Sequence, residues 1–462
     1  MDKFFRISEK GSTVKTEVLA GITTFMAMCY ILMVNAGMFA NLGTVSYGAI
    51  YIATAISAVV GTLLIGLLAN LPLAQASGMG LNAYFVYTCC MGMGLTYSNA
   101  LVLVLIDGII FVLLSATGLR RLIFEAIPKA VKAAIPAGIG LFIAFLGFQN
   151  AGIVVDDGAT LVNLASFNVR NGVTWSMIMP MVVTLAAVLV IAILSKKNVK
   201  GSILFGILGG AAAYYLLGLT IPGFYDAISL SFNPMNAFGE FGSMALFQVF
   251  KSGFDFSAFI AANGIDGFII TLITSALAFC MVDMFDTLGT LYGACARGNM
   301  LTKSGDVPNM DRAMMADAIA TCVGACCGTS TVTTFVESSS GVAEGGRTGF
   351  ASLITAALFF IAMFFAPIAE LVPSCATAAA LIYVGILMMN CVREIEWTKP
   401  EVGVPAFMTV SMMPFTYNIS YGIAFGLLSY VIISLFTGKA KEIKAATWII
   451  TILFLLTFLL TH

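Results

Sequence analysis

Five carboxylic acids stand in stretches of this chain that are otherwise too apolar to hold them: Asp107 in LIDGIIF, Asp283 and Asp286 in VDMFDTLGTL, Asp317 in MADAIAT and Glu337 in TTFVESSSG. No Lys, Arg or His falls at a comparable depth in those stretches. An acid surrounded by hydrocarbon and lacking a counter-ion must be protonated, hydrogen-bonded, hydrated or bound to a cation or ligand. The chemistry on offer is exchange of a proton, with Na+ as the alternative, together with acceptance of hydrogen bonds from a small polar ligand. Asp283 and Asp286 are spaced i, i+3 and share a helix face, with Thr287 and Thr290 close to it. Two acids so placed do not both stay charged in a dry site. Asp286 reads as the ligand-facing member and Asp283 as its support. Asp107 and Asp317 suit hydrogen bonding to a neighbouring helix as well as they suit function.

The composition says what must carry these acids. Of 462 residues, 60% are hydrophobic and 10% charged, with 22 basic residues against 23 acidic, whereas a soluble domain carries roughly 25% charge. A soluble enzyme is excluded, and the chain is expected to be an all-α polytopic membrane protein with almost no extramembrane domain. The one histidine is His462, and the ten cysteines all lie in or beside apolar runs. A His-based nucleophilic triad, a zinc site and a haem site are therefore not expected, and no cofactor is implied. A net charge of -1 without a basic tail argues against nucleic acid as a partner. The first apolar run, Val18 to Ala40, is long enough to span and to be retained.

From Val18 to Ile106 no charged residue occurs, a stretch far longer than the roughly 20 residues of one crossing. Turn signals divide it, and the same reading onward predicts spans near 18–40, 48–69, 75–91, 97–117, 133–152, 173–194 and 201–221. A polar stretch, 222–263, interrupts the pattern. Seven more follow near 264–292, 313–328, 329–344, 348–371, 375–391, 402–416 and 420–437. With the N-terminus inside, alternation puts every Lys and Arg except Arg170 and Lys251 in inside loops, Arg120 and Arg121 among them, as the positive-inside rule requires. Residues 445–460 are apolar but short for a crossing, and they suit a fifteenth span, a re-entrant piece or an interfacial segment equally.

The third and tenth spans are poor helices in corresponding positions of the two halves: AQASGMGLNAYFVYTCCMGMG and GTSTVTTFVESSSGVAEGG. Irregular backbone at membrane depth is tolerated where protein buries it or a cavity adjoins it. A matched pair of Gly-interrupted segments points to an inverted-repeat transporter with its site at the midplane. Thr329 to Val336 is strand-like and leads into Glu337 and a half-helix. Asn82 follows the Gly-rich break and offers both a donor and an acceptor, while Tyr84, Phe85 and Phe335 supply flat faces suited to a planar heterocycle. Thr334 and Ser338 bracket Phe335 and Glu337 and complete the candidate site. A passive channel would need a continuous polar ring instead of paired discontinuous segments. An inorganic anion carrier would need a basic group, which this stretch lacks.

GMGLNAYF, VDMFDTLGTL and GTSTVTTFVESSSGVAEGGRTG, with TTFMAMCYILMVN in the first span, resemble the azaguanine-permease-like purine transporters of the nucleobase/ascorbate transporter family, over nearly the whole chain. The resemblance implies proton-driven uptake of adenine, guanine or hypoxanthine through a bacterial inner membrane. It implies the uracil-permease fold, with about fourteen spans as two inverted repeats of seven. A core domain would comprise 1–117 and 264–371, a gate domain 118–221 and 372–462, and residues 222–263 an external loop. The family's ligand residues fall on Asp286, Glu337 and Asn82 here. Uracil-type members carry a Glu-His arrangement on the eighth span where this chain has Asp286 and Thr287, which argues for a purine over uracil. The coupled proton is then expected on Glu337, or on Asp286 in exchange with Asp283. Analogy with the fold also allows a homodimer.

Overall fold

The computed structural model describes residues 2–117, 127–168, 172–225, 233–303 and 306–460. Arg120, Arg121, Arg170 and His462 lie outside the described residues. In chain order the principal helices are α1 (Val14–Ala40), α2 (Tyr47–Ala69), α3 (Met79–Ala83, continuing as the π-helical stretch Tyr84–Gly92), α4 (Tyr97–Thr117), α5 (Lys129–Asn150), α6 (Trp175–Lys196), α7 (Ser202–Gly218), α8 (Ser257–Arg297), α9 (Met310–Cys327), α10 (Ser338–Ala343), α11 (Gly349–Ala369), α12 (Ser374–Arg393), α13 (Pro400–Phe415), α14 (Ile419–Phe436) and α15 (Ala445–Leu460). Among the described residues nine of these are long and apolar enough to cross a membrane: α1, α2, α4, α5, α6, α8, α11, α12 and α14. Their starts follow the sequence, with Thr13, Ser46, Thr348 and Asn418 each capping a first turn through a side-chain oxygen.

Two boundaries differ from the sequence reading. The helix expected from residue 264 begins at Ser257 and bends at Gly264, whose φ of 74° breaks the helical path. A hairpin of β2 (Val154–Asp157) and β3 (Leu161–Leu164) follows α5, where no strand was expected. Its turn is made by Asp157, whose carboxylate accepts from the Thr160 and Ala159 N–H groups. Those bonds hold its carboxyl down at about 2.

At the centre of the bundle two three-residue strands, β1 (Gln75–Ser77) and β4 (Val332–Thr334), pair antiparallel with Gln75 opposite Thr334 and Ser77 opposite Val332. Both are fully buried. Two flanking backbone bonds, Gly78 N–H to Thr331 O and Phe335 N–H to Ala74 O, lengthen the ladder at 3.0 Å each. A two-stranded ribbon has two outer edges, and in an apolar interior each unpaired peptide group there is costly. Threonines close both. The Thr62 hydroxyl on α2 accepts from Gln75 N–H at 3.0 Å and donates to Gln75 O at 3.1 Å. The Thr321 hydroxyl on α9 does the same for Val332, at 3.2 Å each way. A hydroxyl is suited to this because it donates and accepts at once. The two clips thus match one another, one from α2 and one from α9.

Gly328, with φ at 93°, turns the chain from the end of α9 toward β4, a left-handed conformation that glycine adopts without strain. The remaining helices pack in two sets. α5, α6, α7, α12, α13 and α14 lie mainly against one another, and α1 to α4 with α8 to α11 surround the ribbon. α15 packs on both α14 and α8.

The clips give a direct test. Thr62→Val and Thr321→Val each keep the side-chain shape but orphan an N–H and a C=O, at about 1–3 kcal/mol per group. Each should lower the thermal unfolding midpoint of the purified protein in detergent, while Thr→Ser at the same position should stay close to wild type. Valine variants as stable as wild type would remove the clips from the account.

Candidate functional site

Side chains alternate across β4, so Thr334 and Thr333 face opposite ways. Thr333 donates to Asp286 Oδ2 on α8 at 3.3 Å. Three residues past β4 comes Glu337, whose Oε1 accepts from the Tyr30 hydroxyl of α1 at 2.6 Å. Asp286 and Glu337 lie within electrostatic reach of each other, and both are half-buried where most of their neighbours are fully buried. Next to Glu337, Val336 is 53% exposed although it sits at the middle of the bundle. Farther along the face of α8 that carries Asp286, Gly289 and Gly293 border open space, with no atom within 4 Å of where a Cβ would stand. These residues border a crevice beside the two acids. It runs toward the face of the bundle that carries the N-terminal segment, since Cys295, two residues past Gly293 on α8, lies beside Lys10.

The other residues expected from the sequence support this pair from behind. Asn82 is fully buried; its Oδ1 accepts from the Ser330 hydroxyl and its Nδ2 donates to Ser77 O at 3.3 Å, so its amide ties α3 to the ribbon. Thr334 points away from Asp286 and toward Asp317 at 3.4 Å. Ser338 bonds Ala74, accepting from its N–H at 3.0 Å, and Phe335 is buried beside it. Asp317 collects Gln75 Nε2 at 2.8 Å and the Thr287 hydroxyl at 2.9 Å. Asp283 is fully buried with its carboxyl against that of Asp317, and no N–H or hydroxyl of the described residues bonds it. Asp107 takes one bond, from the Thr331 hydroxyl at 3.3 Å.

Sequence reasoning missed Tyr30, Thr333 and Gln75. Tyr30 lies within TTFMAMCYILMVN and Thr333 within GTSTVTT. Both motifs were legible, but neither spacing says which hydroxyl meets which acid, because the partners are 307 and 47 residues apart.

Away from the crevice the two helix sets meet in a polar and aromatic layer centred on Tyr417, between α13 and α14. Its hydroxyl donates to Gln149 at 2.8 Å, and its carbonyl accepts from Thr88 at 3.0 Å. Its ring stands edge-on to Tyr87 at 5.8 Å and to Phe142 at 5.3 Å. Tyr84 and Ser420 join across the same junction at 2.7 Å. Tyr417 holds φ at 55°, a conformation that costs a bulky residue energy and persists where its surroundings enforce it.

Two partly exposed acids beside a crevice, with a packed layer between the two helix sets away from it, suit a carrier, and the comparisons bear on which. The Xan_ur_permease model, described as a permease family, matches residues 15–425. The chain belongs to this permease family. It is 39% identical over 467 residues to the guanine/hypoxanthine permease PbuG of Bacillus subtilis, covering 99% of both chains. With the adenine permease AdeP of Escherichia coli it shares 33% identity over 459 residues, covering 99% of this chain and 95% of that one. The fold is also that of the transmembrane domain of a cyanobacterial bicarbonate transporter, BicA, with a TM-score of 0.59, 13% identity and coverage of 91% and 96%. The permease is accordingly a transporter and not an enzyme.

The open side of the crevice can be read chemically. In membrane-embedded permease, Gly289→Cys and Gly293→Cys should react with a membrane-impermeant maleimide applied from the N-terminal face, and Thr88→Cys should react from neither face. Labelling of Gly293→Cys from the opposite face alone would reverse the crevice.

Proposed function

We propose that the permease takes up purine nucleobases, adenine, guanine or hypoxanthine, across the bacterial inner membrane by proton-coupled alternating access. The observation that carries the reading is the pair Asp286 and Glu337, both partly exposed beside the crevice and flanked by a strand that offers Thr333. Two adjacent acceptors match the N–H edge of a neutral purine, and the activities of the relatives at 33% and 39% identity name the same substrate class. Tyr30 and Thr333 orient the two carboxyls, so they act as positioning residues. A hydrogen-bonding site of this type rejects analogues that lack the matching groups far more strongly than an apolar slot does.

The coupled proton is held among Glu337, Asp286 and Asp283. Support comes from Asp283, whose buried oxygens no N–H or hydroxyl of the described residues bonds, a condition that a bound proton relieves. α1 to α14 are read as fourteen segments in two inverted sets of seven, in keeping with the paired threonine clips. The helices around the ribbon then form the core and the second set the gate. The basic loops put the N-terminal face in the cytoplasm, which makes the crevice inward-open and the Tyr417 layer the outer seal.

In cells, wild-type permease should accumulate labelled hypoxanthine or adenine against a gradient, and a protonophore should abolish the accumulation. Glu337→Ala should cut initial uptake by about 10- to 100-fold, the value of a hydrogen bond to a charged group, and Tyr30→Phe by about 3- to 10-fold. Wild-type uptake in Glu337→Ala would defeat the site. Accumulation that survives the protonophore would defeat the coupling.

A further inference from the structure

On the face that carries the N-terminal segment, the turn between α6 and α7 reaches across from the second helix set to the first. Lys200 Nζ pairs with Glu344 Oε2 at 2.6 Å, the two side chains being 50% and 32% exposed. Beside it Gly201, buried and with φ at 72°, lies so close to α1 that a Cβ there would stand 3.0 Å from Met26 O and 3.4 Å from Met26 Cβ. An ion pair and a backbone contact thus join the two sets at one point. By contrast, Arg6–Glu9 and Lys399–Glu396 join neighbours in sequence, and Lys439–Glu401 stays within the second set.

Glu344 closes the half-helix that Glu337 opens. The six residues of α10 lie between them, a length of about 9 Å, and the first set holds that length firmly. Gly341 is pressed onto α1, where an added Cβ would stand 2.5 Å from Ala20 O. Past it, Arg347 donates to Val342 O and Gly346 O at 2.7 Å each, and the Ser12 hydroxyl donates to Gly345 O at 3.2 Å. Glu344 and Met26 therefore travel with Glu337 as parts of one body, whereas Lys200 and Gly201 belong to the other. A motion of the first set that carries Glu337 past the seal carries Glu344 with it. The 2.6 Å pair is then stretched.

We propose that the Lys200–Glu344 pair, with the Met26–Gly201 contact beside it, is a latch that holds the inward-open arrangement and parts in every transport cycle. The proposal rests on the alternating access read above but not on which base is carried. An exposed ion pair shifts an equilibrium by only about 1.5- to 5-fold, so this latch biases the resting state without trapping the carrier in it. The competing reading is a fixed pivot. At a pivot the two sets would stay in contact throughout the cycle, and joining them covalently would cost nothing.

The Met26–Gly201 spacing is close to that of a disulfide, which supplies the test. Full-length Met26→Cys/Gly201→Cys permease in membrane vesicles is oxidised with copper phenanthroline, and hypoxanthine uptake and binding are measured before and after reduction, with each single-cysteine variant as the control for native thiols. Oxidation should abolish uptake and leave binding intact, and dithiothreitol should restore uptake. Placed on the cysteine pair, Lys200→Glu or Glu344→Lys should slow disulfide formation by about 2- to 5-fold, and the exchanged pair Lys200→Glu/Glu344→Lys should recover the original rate. An oxidised permease that transports as fast as the reduced one makes the junction a pivot and overturns the latch. So does a cysteine pair that forms no disulfide, or an exchanged pair that cross-links no faster than either single reversal. A wild type that takes up no purine overturns the substrate reading alone, because the cross-linking rates still judge the latch.

Discussion

A peptide group in hydrocarbon must find its hydrogen-bond partner within the protein, and this permease interrupts two of its helices at the depth where that demand is greatest. The β1–β4 ribbon satisfies the inner edges of both breaks by pairing one with the other. Thr62 and Thr321 satisfy the outer edges. Only with this settled can Thr333, Glu337 and their neighbours be presented from extended backbone, where successive side chains diverge. A continuous helix would place Thr333 and Thr334 about 100° apart, not on opposite sides. The ribbon sends Thr334 to Asp317 and Thr333 to Asp286.

The same division separates two kinds of carboxylate. Asp286 and Glu337 border open space and each has one hydroxyl donor, leaving acceptor capacity for a ligand. Asp107, Asp283 and Asp317 lie behind the strands and are fully buried. Asp317 is tied by Gln75 and Thr287 to the ribbon and to α8, so the charge state behind the strands and the geometry in front of them share one set of bonds. A change in either is felt by the other through distances of a single side chain.

Much of this was legible in the sequence for a physical reason. Crossing a bilayer imposes a length and a polarity on each segment, so most apolar runs were bounded within a few residues of the observed helices, whereas α8 starts earlier, at Ser257, and α10 later, at Ser338, than expected. The ribbon was half legible. The Thr- and Val-rich run at 329–336 announced a strand, and the Gly-rich break before Asn82 announced an interruption, but their mutual pairing depends on the two halves facing each other. The candidate site residues followed the same rule. Asp286 and Glu337 stood out because acids are costly in apolar sequence, whereas Tyr30 is one of 14 tyrosines and nothing local distinguishes it. The hairpin at Val154–Leu164 was missed because four-residue strands carry too little alternation to be recognised.

The pairing of Gln75 with Thr334 joins positions 259 residues apart. At about 5–20 residues per second of synthesis, roughly 13–50 s pass between the ribosome's making the first strand and making the second. Through that interval the first half of the chain resides in the bilayer with an unmatched backbone edge. Maturation of the centre is therefore a late event. It awaits the C-terminal half, and a ribosome stalled before the tenth segment leaves behind an intermediate with exposed amides that quality-control proteases can recognise.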